Sequence, residues 1–85
     1  MKWGLVIANR AKRHQRRLSI EERLQIDRAL SEISDDPLAG DVKFLRGTRG
    51  VLRRRFGDWR IIFEIDRAKR IILIVDVTRR ASHTY

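Results

Sequence analysis

The sequence predicts an α+β fold: an N-terminal strand, a two-helix hairpin, then a three-stranded antiparallel meander with the helices packed on one face of the sheet. Three observations predict it. Ser19 and Glu22 stand three apart, the spacing of a capping box, and open a segment whose apolar residues recur with helical period. From Val51 onward the apolar period changes to two. Between two of those alternating runs lies Gly57-Asp58, a two-residue hairpin turn, because glycine tolerates the positive φ such turns need.

Taken in order, residues 2–8 are short and mostly apolar, and read as a strand. Asn9 is the expected N-cap of a helix over residues 10–18. That helix holds few apolar residues and many basic ones, so its cationic face is expected either to grip an acidic partner or to be simply solvated; His14 belongs to that surface. The second helix follows Ser19, with Ile26, Leu30 and Ile33 as its buried stripe and Leu24 and Ala29 widening it. Pro37 ends it, since proline disfavours helical geometry in the residue before it. Residues 37–50 read as a loop holding a short extended piece around 43–45. The strands are 51–56, 59–66 and 70–77, and the second turn, 67–69, is a three-residue loop.

An 85-residue chain makes one domain, 1–85, with a modest core. Its formal charge of +9, from 20 Lys and Arg against 11 Asp and Glu, favours a polyanion: RNA, DNA, an anionic membrane or an acidic protein. Arginine dominates the excess, and its planar fork pairs with phosphate bidentately. Without cysteine there is no disulfide and no thiolate catalysis, which suits a reducing cytoplasm. The apolar start is too short for a signal peptide or a membrane span. Metal-ligand spacing, a phosphate-cradling glycine loop and a nucleophilic triad are all missing from the sequence, so neither metal nor cofactor is expected.

Turn lengths fix register, and register decides which side chains share a face. The Gly57-Asp58 turn pairs Phe56 with Trp59, Arg55 with Arg60, Arg54 with Ile61, Arg53 with Ile62 and Leu52 with Phe63. A three-residue second turn pairs Ile65 with Ile71, Phe63 with Leu73, Ile61 with Val75, Arg60 with Asp76 and Trp59 with Val77. One face then collects Leu52, Trp59, Ile61 and Phe63 with Ile71, Leu73, Val75 and Val77, and is the core side. The other carries Arg53, Arg55, Arg60 and Asp76, with Arg80 added if the last strand runs on. Arg54 falls on the core side near its tip, where its charged end can snorkel outward.

Like charges directly opposite one another destabilise a sheet, so packing gives no reason for Arg55 to face Arg60 with Arg53 alongside. An anion has to compensate them, and a phosphodiester suits. The competing reading is a lattice of salt bridges from these arginines to Asp76, Glu64 and Asp58, although exposed pairs contribute little.

The run Lys43-Phe44-Leu45-Arg46-Gly47, the hairpin Leu52-Arg53-Arg54-Arg55-Phe56-Gly57-Asp58-Trp59-Arg60-Ile61-Ile62-Phe63, and Val77-Thr78-Arg79-Arg80 ahead of Tyr85 together resemble the RelE/ParE toxins. The likeness spans essentially the whole chain, and the hairpin is its most specific part. It implies a toxin held inactive by a cognate antitoxin protein, and, for the RelE-like members, a metal-independent enzyme that enters the ribosome and cleaves mRNA. Matching positions give Arg53, Arg55, Arg60, Arg80 and Tyr85 as the expected catalytic set. Lys43, Arg46, Arg54, Arg79 and His83 complete the expected RNA-contacting set. The resemblance also leaves two other readings: a ParE-like poison of DNA gyrase, and a non-catalytic basic module that binds nucleic acid or antitoxin. Three departures stand out. Arg79 occupies the place where many members have histidine, Arg54 replaces an apolar residue, and an inserted-looking 81–84 separates Arg80 from Tyr85, so that Tyr85 and His83 compete for one role.

Overall fold

The structure is a computed structural model and describes residues 2–79. Five strands form one sheet in the order β1-β5-β4-β3-β2: β1 is Gly4–Ile7, β2 Asp41–Phe44, β3 Val51–Phe56, β4 Trp59–Asp66 and β5 Ile71–Arg79. Helices α1 (Asn9–Arg16) and α2 (Ile20–Asp35) follow β1. The fold class is the predicted one. The meander, however, has four antiparallel strands, because the extended piece foreseen in the 37–50 loop is a true edge strand, with Asp41 to Phe44 paired to Arg55 to Leu52. β1 joins the far side as the parallel neighbour of β5.

The capping box is present at α2: the Ser19 hydroxyl accepts from the Glu22 amide at 3.1 Å, and the Ser19 amide donates back to Glu22 Oε1 at 2.9 Å. α1 starts one residue earlier than expected. Ala8 is its N-cap, and Asn9 lies inside the helix without capping it. Ile26, Ala29, Leu30 and Ile33 of α2 are buried against Trp59, Ile61 and Phe63 of β4. Leu24 is not part of that stripe and stays 61% exposed.

The β3–β4 register is the predicted one throughout, from Phe56 opposite Trp59 to Leu52 opposite Phe63. Gly57 takes φ 60° in the turn. The β4–β5 register differs. Asp66 pairs with Ile71 and Ile65 with Ile72, one residue out of the predicted phase, because the loop holds four residues and ends on Arg70 in the left-handed region at φ 56°. Ile72 and Ile74 therefore enter the core in place of Ile71, Leu73 and Val75, which are only half-buried. A bulge follows: Phe63 pairs with Ile74 but Ile62 with Asp76, so Val75 is the extra residue. It resolves a conflict in the sequence. Strict alternation from Ile72 and Ile74 would drive Asp76 into the core, and the bulge seats Val77 there instead, opposite Ile61.

Candidate functional site

The sheet's open face, away from the helices, is set by alternation along β4: Trp59, Ile61 and Phe63 point into the core, so Arg60 points out. Arg55, its partner on β3, lies beside it, and both side chains are exposed. Among the described residues neither has a carboxylate within ion-pair distance. Lys43, opposite Arg53 on β2, shares this face and is exposed. Three cations are thus available to an incoming anion.

Arg53 joins them in register but not in exposure. Its side chain is 8% exposed, and its Nη1 donates to the backbone oxygen and to Oδ1 of Asp41, each at 3.3 Å. It is therefore held in place rather than presented to solvent. The acid on this face is Asp41 of β2, not Asp76. The displaced register sets Asp76 opposite Ile62 and gives Arg60 Thr78 as its neighbour. Asp76 is bound instead by α1, with Arg10 Nε 3.1 Å from Oδ2 and His14 Nδ1 2.7 Å from Oδ1.

Two expected RNA contacts are drawn to the helix side. Arg54 is buried, its guanidinium paired with Glu32 of α2 and 6.0 Å from the Phe56 ring centroid. It does not snorkel out, because Gly40 closes over it: a Cβ at that position would sit 2.9 Å from Arg54 Nη2. Arg79, opposite Trp59, stacks over the indole at 4.7 Å and pairs with Glu22. Arg46 is exposed in the β2–β3 loop, at the end of β3 remote from Arg55. Arg80, His83 and Tyr85 lie outside the described residues.

Sequence reasoning missed Asp41, whose pairing with Arg53 depends on a strand read only as a loop fragment. It also missed the partner of His14, which stands part-exposed at the surface but bonds the buried Asp76 carboxylate. The signal for His14 was present in hindsight only as its spacing from Arg10, which sets both on one helix face. Among the described residues, no three metal-ligating side chains gather, and no helix is long and apolar enough to cross a membrane.

The fold, as distinct from the site residues, is shared with solved structures. The fold is similar to the toxin-antitoxin complex RelBE2 of Mycobacterium tuberculosis, with a TM-score of 0.84 at 23% identity over 94% of this chain and all of that one. It is likewise similar to the archaeal RelE-RelB complex of Pyrococcus horikoshii, at 0.81 and 20% identity over 98% of this chain and 100% of that one. The intact RelBE toxin-antitoxin complex of E. coli gives 0.78 and 22%, covering 95% of this chain and 99% of that one. No curated protein matches. The sequence model for the ParE toxin of type II toxin-antitoxin systems, parDE, matches residues 6–83, nearly the full length, and so this chain belongs to that family within the RelE/ParE superfamily.

Proposed function

We propose that this toxin acts on RNA, cutting mRNA at the ribosome without a metal ion, in the cytoplasm, and that a cognate antitoxin binds it and holds it inactive. The observation that carries this reading is the cross-strand pair of Arg55 and Arg60, two exposed guanidiniums that among the described residues have no carboxylate within ion-pair distance, since Asp41, opposite Arg55 on β2, is taken up by Arg53, with Lys43 on the same face. A sheet spends stability on such a pair only if an anion answers it. For strand scission the ribose 2′-oxygen attacks phosphorus and the bond to the 5′-oxygen breaks. Charge builds on the phosphorane between those events, and guanidiniums placed beforehand lower its energy. Arg53, 8% exposed and ion-paired with Asp41, is held back from that phosphate with its charge already answered. No histidine or tyrosine stands on this face among the described residues, so the proton-transfer role falls to His83 or Tyr85.

The second reading, a gyrase poison, is favoured by the family match itself, whose description is that of a ParE toxin. Induced expression separates the two. The nuclease stops translation quickly and leaves transcripts whose new ends map inside ribosome-covered codons; Arg60→Ala abolishes both. Intact transcripts with damaged DNA and filamenting cells would establish the gyrase reading in its place.

A further inference from the structure

Asp41 stands directly opposite Arg55, and Arg55 directly opposite Arg60, so the three share one row across β2, β3 and β4 on the open face. The Asp41 carboxylate is within ion-pair distance of neither. It reaches past Arg55 to the diagonal neighbour Arg53, whose Nη1 donates to Oδ1 and to the Asp41 backbone oxygen. The Cα of Arg53 lies one pair further along, opposite Lys43 and Ile62, so its guanidinium leans along β3 toward the row of Arg55 and Arg60. A carboxylate thus already occupies, on this face, a place where an anion meets Arg53 beside that row.

The two partners are held very differently. Arg53 is 8% exposed and fixed, whereas Asp41 is 54% exposed on a four-residue edge strand and can swing into water. Their separation of 3.3 Å is long beside the roughly 2.7–2.9 Å of a strong charge-assisted bond. If the carboxylate leaves, Nη1 keeps the backbone oxygen, so the guanidinium is not stranded. Glu64 provides a contrast on the same face. It is exposed, four residues along β4 from Arg60 or about 13 Å, and forms no ion pair among the described residues.

We propose that Asp41 is an internal substitute for the RNA phosphate: it holds Arg53 in the free protein and gives way when a phosphodiester enters, so that Arg53 joins Arg55 and Arg60 on the ligand. The proposal rests on the RNA-directed reading above and adds a regulation of that same site. In the free protein the carboxylate relieves repulsion among the clustered cations. On binding, one ion pair is exchanged for another, and affinity is lowered by the fraction of molecules in which the Asp41–Arg53 pair is closed.

The test is binding of a 2′-O-methyl hexanucleotide, which resists cleavage, to the full chain over a range of salt concentrations. Asp41→Asn keeps an acceptor oxygen for Arg53 but removes the competing charge. It is expected to bind about fivefold more tightly than the parent, with a salt dependence steeper by about 0.7 in the log-log slope, the mark of one further phosphate contact on a single strand. Glu64→Gln removes the same charge from the same face at a distance beyond the screening length, and should gain less than about twofold. Adding Arg53→Gln to Asp41→Asn should cancel the excess, and a urea melt checks that the double variant folds. If it does not fold, the salt slope of Asp41→Asn alone decides. An equal gain in Glu64→Gln, a gain that survives Arg53→Gln, or an unchanged salt slope overturns the exchange, and the RNA reading then stands if Arg60→Gln weakens the parent. If neither the parent nor Asp41→Asn binds the hexanucleotide, the RNA reading fails and the exchange with it.

Discussion

Arg55 and Arg60 face each other directly across β3 and β4, and among the described residues neither forms an ion pair, Asp41 on the far side of Arg55 being engaged by Arg53. Repulsion between directly opposed like charges costs about 0.2–1 kcal/mol, so function and stability should part company here. Arg60→Gln is expected to raise the urea midpoint slightly while abolishing growth arrest on induction. A variant that lost both would mean that Arg60 supports the fold, against the reading of the open face as a binding surface.

Arg54 presents the opposite case. Its buried guanidinium depends on Glu32, and two of its nitrogens, Nε and Nη1, have no protein partner. Glu32→Ala strands that charge and should cost about 1–3 kcal/mol in chemical denaturation, since Glu32 is half-exposed and water partly replaces it. Arg54→Met, which removes the charge along with the need for a partner, should be close to neutral. Equal losses in the two variants would contradict this.

Gly40 should tolerate no side chain. It holds φ 84°, and a Cβ would lie about 3 Å from three atoms of the Arg54 guanidinium. Gly40→Ala is expected to destabilise by about 1–3 kcal/mol, combining left-handed strain with the clash. In an Arg54→Met background the clash part should shrink and the strain part remain, which a double-mutant cycle measures.

The capping box predicts a pH dependence. The Glu22 carboxyl is lowered from its ordinary value chiefly by the Ser19 amide, which outweighs the opposing effect of desolvation, with a lesser contribution from the charge of Arg79. A folded-state pKa lowered in this way gives stability that is present above the unfolded value of 4.5 and lost as pH falls through the folded one. Thermal melts should show Glu22→Gln less stable than the parent at neutral pH, with the difference closing under acid. Ser19→Ala, which removes the hydroxyl partner, should cost about 1 kcal/mol at neutral pH.

How far the sequence revealed this molecule depends on which turn is considered. Gly57 permits a two-residue turn, and such a turn admits a single register, so the opposition of Arg55 and Arg60 could be read without coordinates. The following turn closes on Arg70, a residue that turn rules do not expect at positive φ, and the register slipped by one. The bulge at Val75 then slipped it again, which is why Val77 was rightly assigned to the core while Asp76 was wrongly paired. The burial of Arg53 and Arg54 was equally hidden. Each depends on an acid brought from elsewhere in the chain, Asp41 from β2 and Glu32 from α2, and local periodicity carries no information about such encounters.

The parallel pairing of β1 with β5 joins Gly4 to Ile71, and β5 lies between β1 and β4. A nascent polypeptide made only as far as β4 has therefore left a gap in the middle of its sheet, with Ile72, Ile74 and Val77 still to come and no bed for α1. Closing such distant partners is slow, and it has to wait for the later strand to be synthesised. The core and the seat of α1 are thus completed only once the fifth strand slots into place between its two neighbours.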